Sequence, residues 1–232
     1  MEKSKAEHEQ AKIYDKEYAH MGPSDKMWLL RYQKDISQVQ KHVKIDENFR
    51  VLDIGCGDGR FLDLVPAKHK FGVDVSSVGV ELAKKKGIDA HVVDVEHDKL
   101  PFESNFFDMV FCMEVLEHVF DISLLLSEIK RVLKPGGHIH ATVPNEVYRF
   151  DRRARILLGG YFLKIRPHEA AHIRFFNKST LKGTFLKEGF KVVYIGGLPL
   201  SFRGELLPLG GFLATHFSDL LPFHYSIIAQ KP

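Results

Sequence analysis

The run Asp53-Ile54-Gly55-Cys56-Gly57-Asp58-Gly59 carries the clearest chemical signal in the chain. Alternating glycines permit positive φ and let bare backbone approach a ligand closely. The turn follows the apolar run Val51–Ile54, which predicts a strand, and precedes Phe61, Leu62, Leu64 and Val65, which predict a short helix stopped near Pro66. A dinucleotide-binding turn wants glycine at its first, third and sixth positions. Here Arg60 takes the sixth position, and Asp53 and Asp58 put carboxylates where a pyrophosphate needs N–H donors. The charge arrangement suits a cationic ligand better than a phosphorylated one.

More such residues follow at the ends of predicted strands. Asp74, near the end of Phe71–Val75, is placed to accept both hydroxyls of a ribose. Asp94, in Ala90–Val95, can accept an adenine amino group while the Val95 N–H donates to the ring. The plain alternatives are a solvated strand-end Asp74 and an ordinary turn Asp94. Met113 ends the predicted strand Phe107–Met113 and reads equally as a cofactor contact or a core side chain. Glu114, Glu117 and His118 come next, with His118 the preferred general base and Glu114 beside it. The plainer reading makes Glu117 and His118 local caps. His168, His172 and Arg174 form a basic group that suits an acidic or phosphorylated acceptor, or a solvated edge. His168-x-x-x-His172 has ligand-pair spacing, but no third ligand stands in position, so no metal is expected.

These residues need a frame to hold them. Up to about Lys44 the chain reads as helical, with Trp28, Leu29, Tyr32, Ile36 and Val39 at near-helical spacing. Residues 1–45 form a helical cap, with Tyr14, Tyr18 and Trp28 closing over the cofactor. Ser76 or Ser77 caps a helix that stops at Gly87. Ile122, Leu125, Leu126, Ile129, Val132 and Leu133 make one helical face, ended by Lys134-Pro135-Gly136-Gly137. His138–Val143 is a fifth strand. Leu181, Phe185 and Leu186 mark a helix ended by Gly189, and Lys191–Ile195 and Tyr225–Ala229 are the last strands. This alternation predicts one α/β domain over 1–232, a Rossmann-like, doubly wound, mostly parallel sheet with helices on both faces, binding its ligand beyond the strands' carboxyl ends. Two long connections, 145–172 with Tyr148, Phe150, Tyr161 and Phe162, and 197–223, rich in Leu, Phe, Pro and Gly, read as acceptor-side insertions. They suggest a partly apolar acceptor; a core extension or a homodimer interface is the alternative.

Bulk properties narrow the classes. With 232 residues, 44% of them hydrophobic, the chain can bury a large core. A net charge of +3 with scattered basic residues argues against a nucleic-acid face. Cys56 and Cys112 make no disulfide framework, so a reducing, cytoplasmic setting is expected. The charged start MEKSKAEHEQAK is no secretory signal, and no apolar run is long enough for a transmembrane segment.

Over roughly residues 50–145 the chain resembles the class I S-adenosylmethionine (SAM)-dependent methyltransferases. The resemblance rests on VLDIGCGDG, GVDVS, VVDVEHDKLPF, FDMVFCMEVLEHV and RVLKPGGHIHATVPN. It is closest to the branch of quinone-biosynthesis and small-molecule methyltransferases, as is HIRFFNKSTLKGTFLKEGFKVV. The resemblance implies a seven-stranded sheet in the order 3-2-1-4-5-7-6, its seventh strand antiparallel. It also implies that Asp53, Gly55, Gly57, Asp74 and Asp94 hold SAM. Cys56, Val75, Val95 and Met113 complete the expected cofactor set. SAM carries a sulfonium and an ammonium, which agrees with the acidic loop. Methyl transfer is an in-line displacement in which the protein chiefly supplies alignment. A carboxylate acceptor needs no base, whereas a hydroxyl or protonated amine does. A small-molecule acceptor with an O-, N- or C-nucleophile is expected. The rivals are an NAD-binding oxidoreductase and a SAM-binding regulator without turnover. Nucleic-acid methylation is disfavoured, because Glu114-Val115-Leu116-Glu117 stands where an Asn/Asp-Pro-Pro-Tyr/Phe motif would be.

Overall fold

The computed structural model describes residues 11–16, 18, 26–145, 173–198 and 224–232. Residues 11–16 are helical, and α1 spans Lys26–Gln40. The elements that follow are β1 (Arg50–Ile54), α2 (Arg60–Leu64), β2 (His69–Asp74), α3 (Ser77–Lys85), β3 (Asp89–Val92), β4 (Phe107–Met113), a 3₁₀ turn (Leu116–His118), α4 (Ile122–Val132), β5 (Leu133–Pro144), α5 (Lys178–Lys187), β6 (Lys191–Leu198) and β7 (His224–Gln230). The strands form one seven-stranded sheet in the order β3-β2-β1-β4-β5-β7-β6. The β1–β2, β1–β4, β2–β3 and β4–β5 pairs are parallel, and β7 runs antiparallel to both β5 and β6. This is the expected order and class. Among the described residues no helix is long and apolar enough to cross a membrane.

Two apolar layers sandwich the sheet, as a sheet buried on both faces requires. On one face Val51, Met109, Phe111 and Ile228 pack with Ile36 and Val39 of α1, Phe61 and Leu62 of α2, and Val80 and Ala83 of α3. On the other, Leu52, Ile54, Val110, Cys112, Ile139, Ala141 and Ile227 pack with Leu125, Leu126 and Ile129 of α4 and Leu181 and Phe185 of α5. The caps follow the sequence: Ser76 Oγ accepts from the Gly79 N–H, Asp121 from Leu124, and Asn177 from Thr180.

Several boundaries differ from expectation. α1 stops at Gln40, because the Val39 carbonyl accepts from both His42 and Val43 and tightens the last turn. β3 ends at Val92, so Asp94 opens a turn rather than closing a strand. β5 starts at Leu133: Lys134 to Gly137 form an irregularity between the Leu133–Phe107 and His138–Met109 pairs, where Pro135 needs no ladder N–H. β6 runs on to Leu198, since Gly197 and Leu198 pair with Tyr225 and His224. Leu29 and Leu186 are exposed despite their apolar spacing. Trp28, Tyr148, Phe150, Tyr161, Phe162, His168 and His172 lie outside the residues whose side chains are described.

Candidate active site

The carboxyl ends of β1 and β2 meet at the glycine turn. Gly55, Gly57 and Gly59 have φ of 76°, 49° and 75°, a region that disfavours side chains. The Gly55 and Cys56 N–H groups both donate to the Val73 carbonyl, which ties the turn to β2. The Asp74 carboxylate closes it, accepting from the Gly57 N–H at 2.8 Å through one oxygen and from the Ser76 N–H at 2.8 Å through the other. Burial pushes its pKa up, while these bonds and one from Val75 oppose the rise. With three backbone donors on it, the carboxylate keeps about one further lone-pair site for an incoming hydroxyl.

Asp53 is 2% exposed, and among the described residues no group donates a hydrogen bond to it. Burial first, then the Asp74 carboxylate, raises its pKa well above the ordinary value. A buried carboxylate of this kind is stabilised by a cation. Asp58 behaves differently from its sequence reading. Arg60 grips it with Nε at 2.9 Å and Nη2 at 2.8 Å, and Lys86 Nζ lies 3.4 Å away. Burial pushes its carboxyl up, but these cations outweigh that and lower the pKa. Its charge is already balanced within the loop, leaving Asp53 as the carboxylate open to a cation.

The Cys56 thiol is buried against Gly72, where an added Cβ would lie 2.6 Å from Sγ. Asp94 forms a turn of its own, accepting from the Glu96 N–H at 3.1 Å, with His97 Nδ1 3.1 Å from its other oxygen. Val95 packs on the α4 side and Met113 on the α1 side of the sheet.

The N-terminal helical segment lies over this turn. Asp15 accepts from the Ser76 hydroxyl at 2.5 Å and from the Val78 N–H at 3.2 Å. The Tyr18 ring rests on Gly57 and Gly79, and a Cβ on either glycine would collide with it or crowd it. Burial and the neighbouring Asp74 push the Tyr18 phenol up.

Beyond β4 the structure assembles a polar cluster that sequence reasoning missed. Glu114 has a left-handed φ of 56° and is held by a bond from its N–H to the Thr142 carbonyl. Its carboxylate meets Arg31 Nη2 of α1 at 3.1 Å, the Thr142 hydroxyl of β5 at 2.9 Å and His224 Nε2 of β7 at 3.0 Å. Burial opposes its ionisation, but His224 and Arg31 win and hold the carboxyl far below the usual range. Asp35, fully buried, lies 3.9 Å from Arg31, and His140 Nε2 lies 3.0 Å from the Ser226 hydroxyl. The available signal was a histidine opening the otherwise apolar strand HYSIIA.

His118 sits elsewhere, its Nε2 4.0 Å from a Glu117 carboxylate that is buried beside Cys112 on the α4 side. The Arg174 side chain donates to the Val119 and Phe120 carbonyls and so holds the loop after the 3₁₀ turn. Val115 abuts the glycine turn: a Cβ on Gly55 would lie 2.6 Å from its Cγ2. The Glu114 cluster is therefore adjacent to the cofactor turn.

Known proteins match this arrangement. The family model for a methyltransferase domain matches residues 52–141. An uncharacterized protein of Methanocaldococcus jannaschii is 28% identical over 226 residues, covering 89% of this chain and 86% of its own length. A ubiquinone biosynthesis O-methyltransferase of Acinetobacter baylyi is 29% identical over 142 residues, 53% of this chain and 60% of that protein. Among solved structures, a Haloferax volcanii methyltransferase in complex with the Trm112 methyltransferase activator superposes with a TM-score of 0.70 at 20% identity, covering 94% of this chain and 97% of that one. A SAM-dependent methyltransferase from Thermotoga maritima gives 0.65 at 21% identity, covering 95% and 98%. Together with the strand order, these likenesses give the chain the fold of known SAM-dependent methyltransferases, with the match to a methyltransferase domain lying in residues 52–141.

Proposed function

We propose that this chain transfers a methyl group from SAM to a small-molecule acceptor. The observation that carries the reading is Asp53, a buried carboxylate without a hydrogen-bond donor among the described residues, beside a positive-φ glycine turn clasped by Asp74. When bound, SAM supplies an electrophilic methyl on a good leaving group. The residues proposed to hold it are Asp53, the backbone of Gly55, Cys56 and Gly57, Asp74, Val75, Asp94, Val95 and Met113. Glu114 and His118, past β4, are the described candidates on the acceptor side. The likeness to ubiquinone biosynthesis O-methyltransferases favours an oxygen nucleophile. Residues 145–172 and 197–223 are proposed to choose the acceptor.

Titration with SAM, S-adenosylhomocysteine and NAD, followed by heat and by melting temperature, tests this. A ligand at a hundred times its Kd stabilises the fold by about 2.7 kcal/mol. Binding of the SAM pair without NAD supports the reading; NAD alone overturns it. SAM binding with no turnover on any acceptor favours a regulator. The Haloferax neighbour was solved with Trm112, so the acceptor screen includes a Trm112 protein. Faster turnover in its presence adds a protein partner.

A further inference from the structure

Two of the donors that hold Asp74 are the Gly57 and Ser76 N–H groups. The N-terminal helical segment reaches both of these residues. Its Asp15 carboxylate accepts from the Ser76 hydroxyl at 2.5 Å and from the Val78 N–H at 3.2 Å. Its Tyr18 ring rests on Gly57 and Gly79. Helix α3 does not need Asp15 in order to begin, because Ser76 Oγ already caps it by accepting from the Gly79 N–H at 3.0 Å. Asp15 also stands close enough to Asp74 to raise its pKa, and such a like-charge approach disfavours the ionised pair. Gly79 lowers the helix propensity of α3, yet a Cβ there would lie 3.2 Å from Tyr18 Cδ2 and 3.1 Å from the Gly57 carbonyl carbon. Two locally unfavourable features thus bring the segment onto the residues that hold Asp74, the carboxylate proposed to accept the ribose.

We propose that Asp15 and Tyr18 are positioning residues for the cofactor, acting on the Asp74 carboxylate through Ser76 and Gly57, and that the segment carrying them docks and undocks as cofactor is exchanged. This deepens the SAM reading above and rests on it. Asp15 fixes the Ser76 side of the carboxylate, and the Tyr18 ring fixes the Gly57 side. With both in place, Asp74 keeps one orientation, and its remaining lone-pair site is held in one direction for a ribose hydroxyl. Burial, then Asp74, pushes the Tyr18 phenol up, so the ring stays uncharged over the turn. A cofactor that binds best to the docked arrangement holds the segment down by the same factor, since such coupling is reciprocal. A single helical segment packed on a ligand site opens without global unfolding, which lets the cofactor enter and leave.

The test uses the full chain and S-adenosylhomocysteine, followed by calorimetry and by tryptic cleavage after Lys12 and Lys16, both exposed. The wild type should bind, and saturating ligand should slow both cleavages at least about fivefold. Asp15→Ala and Tyr18→Ala should each raise Kd at least about tenfold and remove most of that protection. Asp15→Asn keeps an oxygen that accepts from Ser76 and Val78, so its Kd should stay within about threefold of wild type. The double variant should bind no more than about threefold weaker than the weaker single one, because both side chains act through one segment. A role confined to stability would lower the melting temperature of the ligand-free variants and leave Kd and protection at wild-type values, and that result overturns the proposal. Tighter binding by Tyr18→Ala overturns it as well, because the segment would then be a plug. A wild type that binds ligand but is cleaved equally fast with and without it refutes the coupling and leaves the SAM reading standing. A wild type that binds neither SAM nor S-adenosylhomocysteine overturns both. Should the variants fail to fold, the wild-type cleavage rates decide alone, with protection supporting the proposal and its absence refuting it.

Discussion

Replacing Asp35 with Asn should make the protein more stable, and increasingly so as pH rises. Asp35 is fully buried on α1, and among the described residues neither carboxylate oxygen has a hydrogen-bond donor. Burial lifts its pKa from 3.8 to about 7, with Arg31 pulling it down and Glu114 pushing it up. The sign follows from linkage. Between pH 4 and 7 the unfolded chain has ionised this carboxyl while the folded chain keeps it protonated, so stability falls as pH rises. The fall is about 1.4 kcal/mol per pH unit and ends near pH 7, where both states are ionised. From pH 5 to pH 8 the wild type should lose about 3 kcal/mol through this one group. Asp35→Asn removes the titration, so the gap between variant and wild type should widen by that amount over the same interval. Urea unfolding at both pH values measures it directly, and the melting temperatures should diverge by about 10 °C. A gap that stays constant, or narrows toward pH 8, would refute the reasoning. It would mean that Asp35 is ionised throughout and that Arg31, at 3.9 Å, outweighs burial.

Other changes separate the parts of the site. Asp74→Ala removes the acceptor for the Gly57 and Ser76 N–H groups, and calorimetry should show SAM affinity reduced at least about tenfold, at 1.5–3 kcal/mol for each charged hydrogen bond. Gly57→Ala forces a Cβ onto a residue at φ 49° and against the Tyr18 ring. It should cost about 1–2 kcal/mol in backbone strain alone, seen in thermal melts, and weaken SAM binding as well. Asp58→Ala should alter SAM affinity less than threefold despite lying in the same loop, because Arg60 and Lys86 already balance its charge. A large loss in that variant would restore Asp58 as a cofactor ligand.

The local signals were legible in the sequence because they are short-range. Glycine spacing from Gly55 to Gly59 dictates a positive-φ turn, as seen. Continuous apolar runs dictate strands covered on both faces, and Phe107–Met113 was read to the residue. Caps at Ser76 and endings at Gly87 and Gly189 depend on a few neighbours along the chain. The order of all seven strands was implied by resemblance to a family, and pairing registers show it here. Charge balance was less legible. Asp53 and Asp58 look alike in sequence, yet Arg60 and Lys86 fold back onto one, and no described group donates to the other.

The sequence by itself determined the cofactor turn, because residues close along the chain build it and their backbone requirements can be read directly. Tertiary structure alone decided the polar cluster past β4. Arg31 of α1, Glu114 just after β4, Thr142 of β5 and His224 of β7 are separated along the chain, and only the parallel and antiparallel registers around β5 bring them within hydrogen-bond reach. No spacing rule encodes such a contact, because it depends on how α1 crosses the sheet and where β7 begins beside β5.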